Sequence, residues 1–354
     1  MIVSVAQSTD HRLSTFWRAQ ALQFLISAFL WAVFPLFTNA AQSDPIRVLE
    51  PEVVLGHRKR VRADPEVFSP AHNKLWLAGF KETFPSAIPE ELKNVDALTR
   101  SKKLGRIVAC ADAWYFPFSV TARATEPPGI DIEILRAIAA RHNWRVEIVW
   151  ANTGPGASLD AAFRRTIDKG YCDVFTGLIE TGVDDEVKRH HLMFTRPYIG
   201  LGFVLVVQGA ATDARNLEDI KRDGIRIGVL MGSPMEDHIR TTEMAYELYF
   251  QNQRLIDGLV KHEVDAGMMW SGAFATMKRD YDTDVEIVPG YVPTIDQRWN
   301  GVWALPKDEI EFKQFLDLEL ASMLDSGEIE RIVKKYATPF YAPFAQWRRP
   351  DQTN

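Results

Sequence analysis

The stretch IVACADAWYFPF (107–118) ends a short apolar run in an acid, Asp112, and then sets Trp114, Tyr115 and Phe118 around Pro117. A carboxylate beside aromatic faces is suited to holding a small organic molecule. The rings give apolar contact and attract cations, and the acid fixes orientation. The same chemistry recurs further along. Trp270 and Ser271 follow an apolar run, Ser233 and Pro234 open a helical segment after Gly232, and Trp299 precedes another apolar run. Backbone N–H groups at a helix start suit a carboxylate or phosphate, yet Ser before Pro is equally a plain N-cap and first helical residue; the two readings are compatible. Besides Asp112, Glu180 is the carboxylate placed for acid or base work, or else a loop residue paired with Lys188 or Arg189. The eight histidines lack ligand spacing and no CxxCH motif occurs, so neither zinc nor haem is expected and no cofactor is implied.

Positioning these residues requires a frame. The segment GIDIEILRAIAARHNWRVEIVW (129–150) reads as a helix followed by a strand, which together with 107–112 makes an open α/β sheet. Such sheets bind ligands at the carboxyl ends of their strands. Segment 172–178 reads as a buried strand, and 194–207 as a turn leading into a long strand. Segment 226–239 repeats the strand-turn-helix plan, and 255–270 is a helix running into a strand, with Ser271 and Gly272 beginning the next turn. Segment 315–340 holds two helices. Leu316, Leu320, Met323 and Leu324 share one core-facing stripe, Ile329, Ile332, Val333 and Tyr336 the other, with Asp325 and Glu328 spaced as a capping box.

The N-terminus carries His11, Arg12 and Arg18, then an apolar run over 21–37 interrupted only by Gln23, Ser27 and Pro35, then Thr38-Asn39-Ala40. This pattern predicts an export signal cleaved after Ala40 and a periplasmic product; the alternative is an uncleaved membrane anchor. Composition is ordinary for a globular chain, at 46% hydrophobic and 25% charged, and a formal charge of -6 gives no reason to expect nucleic acid. Residues 41–103 read as an extension rich in proline and charge, with one short helix and a basic run at 57–62 that is a solvated face or a docking patch. The two cysteines, Cys110 and Cys172, belong to an exported chain, where a disulfide is natural. Their different heights on adjacent strands leave a bridge and two free thiols both open.

Taken in order, several elements resemble the type II periplasmic solute-binding proteins of family 3, which serve ABC transporters. They are Asp112-x-x-Tyr115-x-Pro117-Phe118, GIDIEILRAIA, the strand at 172–177, Phe194-x-x-Pro197-Tyr198, Gly232-Ser233, the segment before MMW, and LDSGEIERIVKKYATPFY. The resemblance covers about residues 104–345. It implies an α/β fold of two lobes joined by two hinge strands, here 202–207 and 300–305, closing on a ligand. The implied organisation is a signal over 1–40, an extension over 41–103, lobe one over 104–205 and 299–345, lobe two over 206–298, and a tail over 346–354.

The resemblance also implies a ligand-binding set: Asp112, Trp114, Tyr115, Phe118, Thr181, Arg189, Arg196, Tyr198, Ser233, Trp270, Ser271 and Trp299. Three departures bear on the ligand. Trp270 stands where the amino-acid binders of this family place an ammonium-pairing Asp. The Arg that usually follows a Thr closely is displaced by the acidic loop after Thr181, leaving Arg189 or Lys188 for the role. Pro234 replaces the second Thr of a Gly-Thr-Thr turn. The motifs CAD, FRRTIDKGYCDV and the Trp after VDA are further similar to solute-binding-like proteins associated with quinoprotein alcohol dehydrogenases. The implied function is therefore capture of a small organic ligand for an ABC transporter permease. The alternatives are an accessory role beside a periplasmic quinoprotein dehydrogenase, or a secreted enzyme on the same fold.

Overall fold

The computed structural model describes residues 87–121, 128–153, 158–181 and 185–345. The expected signal, most of the 41–103 extension and the 346–354 tail lie outside the described residues. Strand β1 (Arg106–Asp112) is buried along its whole length, as a strand covered on both faces must be. Its two-residue period sends Ile107 and Ala109 into one core and Val108 and Cys110 into another. A short hairpin, β2 (Trp114–Tyr115) with β3 (Ser119–Val120), follows at its carboxyl end. Helix α1 (Ala97–Leu104), capped by Asp96 accepting from the Thr99 N–H, buries Ala97 and Leu98 in the first of these cores. The last residues of the expected extension are thus built into the first lobe. Arg100 ties them there through Asp173 at 2.6 Å.

β1 pairs in parallel with β4 (Arg145–Ala151) and β5 (Val174–Glu180), with α2 (Ile130–Arg141) and α3 (Leu159–Arg165) as the covering helices. Helix α4 (Asp185–Arg189) and strand β6 (Leu192–Phe194) lead into β7 (Ile199–Val207). The partners of β7 change midway. Ile199 to Gly202 pair with β12 (Arg298–Pro306), whereas Phe203 to Val207 pair with β10 (Ala266–Trp270). β7 therefore belongs to both lobes, and β12 lies antiparallel between β5 and β7. In the second lobe β8 (Ile227–Leu230) runs parallel to β9 (Tyr246–Tyr249) and β10, while β11 (Glu286–Ile287) pairs with β7. Helices α5 (Leu217–Arg222), α6 (Pro234–Arg240), α7 (Asn252–Val260) and α8 (Ser271–Asp280) complete that lobe. Helices α9 (Ile310–Asp325) and α10 (Glu328–Lys334) return to the first lobe, burying Leu316, Leu320, Met323, Ile329, Ile332 and Val333 in its core.

Two local expectations are corrected. Ser271 and Gly272 do not begin a turn, because α8 starts directly after β10. Asp325 and Glu328 form no capping box. Asp325 is still the last residue of α9, and Gly327, at φ 69°, precedes α10 in a left-handed conformation that glycine adopts without steric cost. A two-residue link leaves no room for a separate cap. The cysteine question resolves to a disulfide between Cys110 and Cys172, with Cα atoms 5.6 Å apart. Cys172 lies before β5, so it escapes the strand register that would have set it at the wrong height.

Candidate functional site

The aromatic turn after β1 is fastened to the start of α2. The carbonyls of Pro117 and Phe118 accept the N–H groups of Ile130 and Asp131 at 2.8 and 3.0 Å, satisfying donors that a helix start leaves unpaired. Gly129 makes this approach possible. At φ 111°, a Cβ there would stand 2.3 Å from the Phe118 oxygen. Tyr336 locks the arrangement, its hydroxyl accepting from the Gly129 N–H at 2.9 Å and donating to Glu133 at 2.8 Å.

Trp270, Trp299 and Phe203 meet where β7 passes between lobes. Their ring centroids lie 5.9 to 6.0 Å apart, in tilted and edge arrangements typical of favourable aromatic pairs. Trp270 packs against the first-lobe core and both second-lobe cores. Of the expected residues, Trp270 and Trp299 are therefore brought together. Phe203 joins them unannounced, because its strand position reads as ordinary core. Across the junction stand Tyr115, whose ring centroid is 4.9 Å from that of Phe118, and Trp114, which is 50% exposed.

Most expected polar contacts are spent inside the protein. Asp112 accepts from the Trp114 N–H at 2.7 Å and from both the N–H and hydroxyl of Thr153, so it fixes the turn. Ser233 donates its hydroxyl to the Leu230 carbonyl at 2.6 Å. The neighbouring Gly232 N–H donates to Glu236 at 2.7 Å, and this bond, with Arg240, holds the Glu236 carboxyl below its usual range. A carboxylate of the chain itself thus takes the donor that a ligand anion would need.

Arg189 pairs with Asp160 at 3.8 Å and Glu186 at 3.6 Å within the first lobe. Arg196 is exposed beside α9, where its backbone N–H donates to Asp317 at 2.6 Å. Thr181 is exposed at the end of β5, next to residues outside those described. Phe118 is core at 1% exposure. Ser271 is fully buried beside Trp270, and its hydroxyl has no hydrogen-bond partner among the described residues.

Tyr198 is also fully buried and donates to Asp131 at 2.5 Å, which supports the turn from beneath. Asp131 itself is a residue the sequence reading passed over. Burial pushes its carboxyl up to about 7, against the opposing bond from Tyr198. It sits under the Tyr115 ring, whose phenol is raised by burial first and by this carboxylate second. The available signal was an acid in the otherwise apolar opening GIDIEIL.

The packed indoles and the braced aromatic turn thus bring apolar and aromatic side chains together at the lobe junction, and comparisons place this architecture. Among curated protein sequences none matches the chain. The L-cystine solute receptor of Neisseria gonorrhoeae, in its unliganded open conformation, is similar in structure. It has 16% identity and a TM-score of 0.55, over 68% of this chain and 96% of that one. The second substrate-binding domain of a putative amino acid ABC transporter from Streptococcus pneumoniae gives 20% and 0.53, over 65% and 99%. An ancestral cyclohexadienyl dehydratase gives 20% and 0.53, over 68% and 96%. At these identities the likeness is one of fold, the two-lobed periplasmic binding protein fold. The family model for bacterial extracellular solute-binding proteins, family 3, matches residues 107–339, nearly all of both lobes. The chain belongs to that family.

Proposed function

We propose that this solute-binding protein captures a small organic ligand with an aromatic or apolar body between Tyr115 and the Trp270–Trp299 pair and presents it to an ABC transporter. The observation that carries the reading is Trp270. It ends β10 where an ammonium-pairing carboxylate would serve an amino acid, and it packs edge-on and tilted against Phe203 and Trp299 instead. A zwitterionic amino acid would leave its ammonium without a partner in a partly desolvated cleft, a cost of a few kcal/mol. Its carboxylate would also find the Gly232 N–H taken by Glu236. Ligands with a broad apolar face avoid both penalties and gain contact area.

Catalysis is not proposed. One fold neighbour is a dehydratase, but a shared fold is no warrant for shared chemistry. The dehydrogenase-accessory reading gains no support from these comparisons. The test is titration calorimetry with the twenty common amino acids beside a panel of neutral and anionic aromatic compounds. Binding by aromatic compounds and none by amino acids supports the proposal. Tight binding of an ordinary amino acid overturns it.

A further inference from the structure

One face of α8 is among the places where the two lobes touch. Gly272 and Arg279 lie seven residues, about two turns, apart on this helix and so share a side. Both meet the first-lobe aromatic turn. A Cβ on Gly272 would stand 3.0 Å from the Trp270 indole nitrogen and 3.4 Å from the Pro117 ring, so the helix start lies nearly flush against the turn. Two turns on, the Arg279 guanidinium lies 4.1 Å from the centroid of Phe116. The edge of that guanidinium is held by Asp280 through bonds of 2.6 and 3.0 Å, which orients its flat face. On the first-lobe side Phe116 packs against Tyr336, 6.0 Å between centroids, which in turn holds Gly129 and Glu133. Phe116 thus lies between a cation from the second lobe and a tyrosine anchored in the first.

We propose that Arg279 and Phe116 form an interlobe latch that biases the protein toward the lobe arrangement in which the two are in contact. An arginine stacked on an aromatic ring is attractive without excluding water completely, so the contact can release when the lobes part. Because β7 and β12 are the strands through which the lobes join, a contact at the far end of α8 acts with leverage on their angle. The latch is built from protein groups alone. Failure to find a solute would therefore leave it standing.

The experiment measures the interlobe distance distribution in the full, ligand-free chain. Spin labels are placed at Lys334→Cys in the first lobe and Glu243→Cys in the second, both exposed positions, with the native disulfide left oxidised. Arg279→Ala and Phe116→Leu should each raise the population of wider interlobe distances, relative to the arrangement that holds the contact, about two- to fivefold, as a cation-π contact of this exposure predicts. The double variant should open no further than either single one, because both remove the same contact. Arg279→Lys, which keeps the charge and loses the flat face, should fall between. Melting temperatures serve as the control for folding and should stay close to that of the parent. Unchanged distributions in both single variants, or additive opening in the double variant, overturn the latch.

Discussion

Tyr198 donates its hydroxyl to Asp131 in a fully buried pair 67 residues apart in sequence, directly beneath the aromatic turn. The Asp131 carboxyl is raised to about 7, well above the ordinary carboxylate range, chiefly because burial disfavours its charge. Between that range and the raised value the folded protein binds a proton that the unfolded chain does not. This contribution to stability is full below the unfolded value, falls as pH rises from about 4 to about 7, and is gone above. Asp131→Asn should flatten that slope, which amounts to a few kcal/mol at most. Urea unfolding of both proteins at a series of pH values measures it, and a parent protein whose stability rises across this window would contradict the assignment.

His190 should act in the same direction over a different range. Its Nδ1 faces Asp168 at 2.6 Å and its Nε2 faces Asp160 at 2.9 Å. These two carboxylates raise the imidazole above its usual value, outweighing the burial that opposes them. The stabilisation is full below the unfolded value of about 6.5 and is lost as pH rises through the higher folded value. His190→Gln should cost a few degrees of melting temperature at pH 6 and little at pH 9. An equal loss at both would show that the edge contact with Phe163, whose ring centroid is 5.4 Å away, and not charge, is what the histidine supplies.

The Cys110–Cys172 bridge closes a loop with a sequence separation of 62 and is buried in the second core of the first lobe. Replacing both residues with alanine should cost about 2–4 kcal/mol, mostly through a less restricted unfolded chain. The check is denaturant unfolding of the oxidised parent against the double variant. A loss under about 0.5 kcal/mol would mean that strain offsets the entropic gain.

Trp270→Asp tests the ligand reading from the opposite side. The substitution removes an indole from the junction and should cost about 3 kcal/mol of stability. It also restores a carboxylate at the end of β10, so it is the single change expected to create measurable binding of a common amino acid. Calorimetry with the amino-acid panel on parent and variant decides. Binding by the parent that weakens in the variant would place the ammonium elsewhere.

The fold was readable because its central strands are short continuous apolar runs bounded by turn residues, as strands covered on both faces are. RIVACAD and the long run through 199–207 send neighbouring residues to opposite cores, and the strand-turn-helix plan repeats. Trp270 and Trp299 were readable as residues of the lobe junction because each lies at the end of a strand there. The bonds that Asp112 accepts from Thr153 were not legible, because Thr153 lies 41 residues away on the loop after β4. Glu236 was passed over because its i, i+4 bond to Gly232 competes with several equally local choices. Arg279 and Phe116 carry no mutual signal at all, since a stacking contact 163 residues apart depends on how two separately built lobes meet.

The course of the main chain has a consequence for the order in which this protein takes shape. Everything between Phe203 and Gln297 forms the second lobe from one continuous segment, whereas the first lobe needs β12 inserted between β5 and β7 before its sheet is whole. As the chain emerges, the second lobe can therefore assemble while the first still presents the unpaired edge of β5. That edge is filled only when residues 298–306 arrive, within the last sixth of the sequence. Long-range pairings of this kind form late and slowly. A chain cut short before β12 is thus half folded and half adhesive, with an open strand edge ready to pair with another copy.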